Sequence, residues 1–156
     1  MKVLFMCTAN SCRSILSEAL FNHLAPEGFQ AFSCGSFPKG QVLPRSLSAL
    51  QAVGISTEGL YSKGNDAFKD NPPDILITVC DRAAGEACPV YFGPAVKAHW
   101  GLEDPSDVKG DDAIVEAAFE ATLNTIETRC RALFDLPLSS LTPAQLKIEL
   151  ERIAAL

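Results

Sequence analysis

Cys7 and Arg13 bracket the run Cys7-Thr8-Ala9-Asn10-Ser11-Cys12-Arg13-Ser14, which joins the apolar stretch Val3-Leu4-Phe5-Met6 to a helical pattern carrying Ile15, Leu16, Ala19 and Leu20. A loop between a strand and a helix N-terminus directs several unpaired N–H groups at one point, where the helix dipole also favours negative charge. A guanidinium closing that loop adds a permanently charged planar fork matched to oxyanions. A thiol placed there is favoured as the thiolate. The chemistry implied is attack by the Cys7 sulfur on a tetrahedral oxyanion held by the loop of Thr8, Ala9, Asn10, Ser11, Cys12, Arg13 and Ser14. Ser14 is also placed to cap the helix.

A second thiol pair lies in Cys80-Asp81-Arg82-Ala83-Ala84-Gly85-Glu86-Ala87-Cys88-Pro89, directly after the apolar run Ile75-Leu76-Ile77-Thr78-Val79. Taken alone, the pair reads as a buried strand end and an idle surface thiol. Beside the Cys7 loop it reads as a relay: Cys80, on a strand parallel and adjacent to the first, attacks Cys7, and Cys88 resolves Cys80. The residues between them have room for one or two helical turns. A bridge would require that turn to unwind, because disulfides need Cα atoms within about 7 Å. Asp104 precedes Pro105, which keeps it out of the α region and fixes an extended approach. A carboxylic acid presented there suits protonation of a leaving oxygen, with Glu103 the neighbouring carboxylate that could be mistaken for it.

Composition narrows the partners. With 156 residues, 47% of them apolar, the chain is expected to be one domain over residues 1–156, and no apolar run reaches the length of a membrane span. A net charge of −6 argues against nucleic acid or anionic membrane as partner, since phosphate contacts need Lys and Arg. The apolar stretch at the amino end is too short for a signal sequence. Six cysteines without an export signal then imply reduced thiols and a cytoplasmic setting. Two histidines and no short knuckle spacing argue against a zinc site, so no metal is expected. Cys34 and Cys130 read as small core residues, while His23, His99 and Trp100 receive no role.

The elements that must position these groups alternate along the chain. Strands are expected at residues 2–6, 30–33, 75–79 and 97–100. Helices are expected from the loop to residue 24, over 44–53, from 111 onward and from 142. Pro44 near a start and Gly54 past an end follow the usual asymmetry. Val115, Phe119, Ile126, Cys130 and Leu133 share one helical face, with Arg129 and Arg131 suited to the dipole near its end. Thr142 and Gln145 form a capping-box pattern. Alternation of this kind predicts an α/β fold, a three-layer sandwich with a four-stranded, mainly parallel sheet. Ligands in such sheets bind beyond the carboxyl ends of strands, where Cys7 and Cys80 both fall.

Taken together, these residues resemble the arsenate reductases that share the low-molecular-weight protein tyrosine phosphatase fold, over nearly the whole chain. The loop matches that family apart from Ala9, where Gly is common. Cys80 and Cys88 match its redox pair, with one more intervening residue than in some members, and Asp104-Pro105 matches its acid loop. The resemblance implies that arsenate sits on the loop amides and Arg13 while Cys7 attacks arsenic and Asp104 protonates the departing oxygen. Cys80 then attacks Cys7 and releases arsenite, and Cys88 forms a Cys80–Cys88 disulfide that thioredoxin, or alternatively glutaredoxin, reduces. It implies no bound cofactor, loop-ordering roles for Asn10 and Ser14, and a packing role for Cys12. Some relatives bind potassium beside the loop through a glutamate corresponding to Glu18; here Lys63 is expected to replace the ion. The alternatives are a phosphatase for phosphotyrosine or small phosphomonoesters, using only Cys7, Arg13 and Asp104, and a noncatalytic redox-sensing domain.

Overall fold

Residues 3–7 are all buried, because β1 (Lys2–Cys7) runs through the middle of a sheet covered on both faces. β2 (Gln30–Gly35) and β3 (Ile75–Thr78) flank it in parallel, and β4 (Val96–His99) pairs in parallel with β3, giving the order β2-β1-β3-β4. This computed structural model describes residues 1–82, 85, 86, 91 and 93–156. Cys88 and part of the expected turn before it lie outside the described residues.

Alternation along β1 divides the core. Val3, Phe5 and Cys7 join a large cluster with buried residues of α1 (Arg13–Leu24), α2 (Pro44–Ala52), α3 (Asp112–Phe134) and α4 (Pro143–Ile153). Leu4 and Met6 join Cys34 and Leu76 on the opposite face, where Phe32, Phe68, Tyr91 and Ala95 pack. The layer over that second face is thin among the described residues, formed partly by a 3-10 turn at Asn65–Phe68. Aromatic rings tie the large cluster together: Phe21 lies edge-on to Phe5 at 5.8 Å and to Phe134 at 4.9 Å. Full burial of each such ring contributes on the order of 1.5–3 kcal/mol. Trp100, left without a role by the sequence, is a core residue whose Nε1–H donates to the Leu150 carbonyl at 2.9 Å.

The expected elements are present with small shifts at their ends. β2 extends to Gly35, because its amide donates to the Lys63 carbonyl and its register continues beside Cys7. The capping box at Thr142 forms with Gln145. Two details differ from expectation. The N-cap of α1 is Cys12 and has no side-chain cap, since Ser14 is turned toward Cys7 instead. Arg129 is buried rather than placed for the helix dipole, donating to the carbonyls of Gly101, Ala154 and Leu156. It thereby ties α3 both to the carboxyl terminus and to the segment that leads to Asp104. No helix among the described residues is long and apolar enough to cross a membrane.

Candidate functional site

Cys7 ends β1 as a free, buried thiol. Its Sγ lies 2.8 Å from Ser14 Oγ and accepts the Asn10 N–H at 3.3 Å. The loop around it is pinned from outside. The carbonyls of Cys7, Thr8, Ala9 and Ser11 accept from the amides of Ser36, Phe37, Lys39 and Leu43 at 2.8–3.2 Å. Ser62 Oγ adds a bond to Ala9 O, and Ser46 Oγ one to Ser11 O. With these carbonyls turned outward, the Asn10 N–H points inward at the sulfur, the kind of backbone donor an anion needs.

Asn10 is the one non-glycine residue among the described ones with positive φ, at 47°, a region Asn tolerates better than most residues. Its side chain is fully buried and holds the loop together: Nδ2 donates to Ser14 Oγ and Ser33 Oγ, and Oδ1 accepts the Lys63 amide. Ala9, where relatives favour Gly, does not adopt positive φ, so the methyl group imposes no backbone strain. Gly35 supplies the close approach, because a Cβ there would lie 2.4 Å from Thr8 O and 2.9 Å from Asn10 N.

Behind the loop, Lys63 is buried with Nζ donating to Tyr61 O at 2.8 Å and Ser33 Oγ at 3.3 Å, and 3.4 Å from Glu18 Oε1. Glu18 Oε1 also accepts from Ser33 Oγ at 2.6 Å. The ammonium thus stands beside Glu18, as the sequence suggested. Among the described residues no cluster of three or more His, Cys, Asp or Glu side chains is arranged for a metal.

Arg13 opens α1 and is 7% exposed. Its Nη1 donates to Leu102 O at 3.2 Å, and its Nη2 lies 3.4 Å from Asp104 Oδ2. Its closest partner is a residue that spacing and pattern had not singled out: Glu86 takes the guanidinium through both carboxylate oxygens at 2.6 and 2.7 Å. Glu86 Oε2 also accepts the Asp81 amide at 2.9 Å. The Arg13 hydrogen bonds hold the Glu86 carboxyl below the ordinary glutamate range, against the opposing effect of burial. Burial works against the Arg13 charge, but Glu86 and Asp104 outweigh it and raise its pKa further. The clue to Glu86 was an acid located between two candidate thiols, which spacing alone could not aim at Arg13.

Asp104 adopts the extended conformation expected before Pro105, with φ −78° and ψ 108°. Its Oδ1 accepts from the Ser106 amide and hydroxyl, at 2.9 and 2.6 Å, leaving Oδ2 toward Arg13. Arg13, Asp81, Gly85, Glu86, Asp104 and Asp107 line a hollow of about 270 Å³. One strand over, β3 ends with Thr78 level with Met6, so Cys80 lies one residue beyond the level of Cys7. Cys80 is fully buried and disulfide-bonded. The remaining described cysteines are poor nucleophiles: burial pushes the Cys12, Cys34 and Cys130 thiols up to about 12.

The chain as a whole is similar to several known proteins. An arsenate reductase of Bacillus subtilis is 29% identical over 129 residues, covering 83% of this chain and 91% of the relative. The crystal structure of an arsenate reductase from Archaeoglobus fulgidus superposes with a TM-score of 0.69 at 28% identity, covering 86% of this chain and 99% of that one. A thioredoxin-dependent arsenate reductase of Corynebacterium glutamicum superposes with a TM-score of 0.61 at 28% identity, covering 85% of this chain and 59% of that one. The parallel sheet carrying a cysteine loop at its edge agrees with the match of residues 2–150 to one family description, and the chain belongs to the low-molecular-weight phosphotyrosine protein phosphatase family.

Proposed function

We propose that the protein is an arsenate reductase working through a relay of Cys7, Cys80 and Cys88, with thioredoxin as the external reductant. The observation that carries the proposal is the unequal state of two sulfurs at neighbouring strand ends: Cys7 is a free thiol and Cys80 is in a disulfide. A phosphatase has no task for an oxidised sulfur beside its nucleophile. The names of the relatives support the substrate, and the Corynebacterium structure supports thioredoxin as the partner.

In this reading, arsenate rests on the loop amides and Arg13. The Cys7 thiolate attacks arsenic and forms a sulfur–arsenic bond, while Asp104 supplies the proton that lets one oxygen leave as water. The Cys80 thiolate then attacks Cys7 Sγ, and the sulfur–arsenic electron pair passes to arsenic, reducing it from the pentavalent to the trivalent state. Arsenite departs, leaving a Cys7–Cys80 disulfide. The Cys88 thiolate attacks Cys80 and frees Cys7, and thioredoxin reduces the resulting disulfide by exchange. Thiols supply both electrons, so the scheme draws on no bound cofactor, and it requires a thiol-reducing compartment, the cytoplasm.

Serine substitution tests the reading. Cys80→Ser and Cys88→Ser are each expected to abolish thioredoxin-coupled arsenate turnover while leaving aryl phosphate hydrolysis by Cys7 within about threefold, because the nucleophile and its oxyanion loop are untouched. Arsenate turnover that survives Cys80→Ser would overturn the relay. Aryl phosphate hydrolysis with no arsenate reduction by the unaltered protein would establish a phosphatase instead.

A further inference from the structure

We propose that Glu86 serves as a built-in stand-in for the oxyanion on Arg13, so that the thiol–disulfide state of Cys80 controls whether the anion site can be occupied. The coupling to redox state rests on the relay reading; the competition for Arg13 rests on geometry alone. A carboxylate bound through both oxygens makes the same paired contacts with a guanidinium that an arsenate or phosphate would make. Glu86 does so at 2.6 and 2.7 Å, and Leu102 O and Asp104 take up further Arg13 contacts. A dianion arriving at Arg13 would meet two carboxylates already against that guanidinium, and like charges at such distances oppose one another strongly. Asp104 belongs to the proposed reaction, so the group that must leave is Glu86.

The link to redox state lies in the chain around it. Glu86 falls between Cys80 and Cys88, and it is tied to the residue after Cys80 twice: its amide donates to Asp81 O at 3.0 Å, and its carboxylate accepts the Asp81 amide at 2.9 Å. In the relay reading a Cys80–Cys88 disulfide would close this short segment, which would reduce the freedom of its residues and raise the effective concentration of Glu86 at Arg13. Reduction removes the closure, and a dianion then competes with a less restrained side chain. The consequence for turnover is order. An enzyme whose Cys80 is oxidised cannot complete reduction of a second arsenate, and the Glu86 contact keeps that arsenate, or a phosphate, off the site until thioredoxin has acted.

The test measures binding of inorganic phosphate, a non-reducible probe, by titration calorimetry. It uses the full chain in two forms, oxidised to the Cys80 disulfide with a stoichiometric small-molecule disulfide and fully reduced with a dithiol. The unaltered protein is expected to bind phosphate at least ~10-fold more weakly when oxidised, within the usual range of coupling between sites. Glu86→Gln, and Glu86→Asp with its shorter reach, are each expected to bring the two forms within about twofold of each other. Asp107→Asn removes a charge from the same hollow without touching Arg13, and it is expected to shift both forms equally. Equal binding by the two forms of the unaltered protein, a gap that survives Glu86→Gln or Glu86→Asp, or a gap that Asp107→Asn closes would overturn the proposal. The readout does not depend on turnover. A protein with the phosphate gap but no arsenate reduction would sink the reductase reading alone, and one that reduces arsenate without the gap would sink this inference alone.

Discussion

The loop after β1 and the segment after β3 leave the same edge of the sheet on adjacent strands, yet they are held in contrasting ways. Around Cys7 the backbone is fixed by carbonyl bonds to residues 36–43, and the polar side chains behind it, Asn10, Ser14, Ser33 and Lys63, are buried and bonded to one another. Beyond Cys80, the described contact with the site is a carboxylate on a guanidinium, and Glu86 is 26% exposed. Under the proposed relay the difference follows from the two tasks. A nucleophile loop works by having its donors in place before the substrate arrives. A thiol that must change partners needs neighbours whose attachments can be exchanged at low cost.

Methyl groups placed in the two regions sharpen that contrast most strongly. Gly35→Ala sets a Cβ against Thr8 O and Asn10 N, atoms of the pinned backbone that cannot retreat. We expect a loss of stability of about 2–4 kcal/mol and the collapse of both arsenate and aryl phosphate chemistry. Gly85→Ala meets nothing within 4 Å, and its cost is confined to the positive φ of 81°, about 1–2 kcal/mol. Denaturant unfolding of the two variants, with activity measured alongside, checks the ordering; equal penalties would erase the distinction between the regions.

Asn10→Ala probes the rigid side without adding bulk. It removes the acceptor of the Lys63 amide and the donor to Ser14 and Ser33, all buried, so about 2–3 kcal/mol of stability should be lost. The Cys7 environment should suffer with it, because Ser14 loses the group that orients it. Unfolding that matches the unaltered protein would mean that the outer carbonyl bonds alone define the loop.

The sequence made the rigid region legible and the exchangeable one only partly so. A strand, a short loop of fixed length and a helix leave little freedom, so Cys7, Arg13 and the parallel arrangement of β1 and β3 could be read from pattern. Asp104 could be placed because Pro105 restricts the backbone before it. Glu86 escaped because its role depends on the path of a segment with no periodic pattern, and side-chain reach across that path is not encoded by spacing. Arg129 was misassigned for a related reason: a basic residue near a helix end satisfies the dipole rule in sequence, while its burial against three carbonyls emerges only from packing.

Acid titration should separate the two regions by a smaller effect. The folded-state pKa of Glu86 is depressed, chiefly by the Arg13 hydrogen bonds, so the contact contributes its full stability above the unfolded glutamate value of about 4.3. That contribution is lost as pH falls through the lowered folded value. For a partly exposed pair it amounts to about 1 kcal/mol or less. The gap in unfolding free energy between the unaltered protein and Glu86→Gln, measured from neutral pH downward, should be constant at first and shrink only below the ordinary glutamate range. A gap that grew on acidification would contradict the depressed value.

The smallest expected effect concerns the cation beside the loop. The ammonium of Lys63 is covalently part of the chain, lies 3.4 Å from Glu18 Oε1, and donates to Tyr61 O and Ser33 Oγ, which places a positive charge beside the Glu18 carboxylate. Its ring contact with Tyr61, 4.4 Å from Nζ to the centroid, further occupies the space around the charge. We therefore expect kcat/KM for arsenate to change by less than about twofold when potassium replaces sodium at constant ionic strength, since screening is then identical. Selective activation by potassium would mean that Glu18 still recruits an ion in solution, and that the rigidity of the Cys7 loop is completed from outside the chain rather than by Lys63.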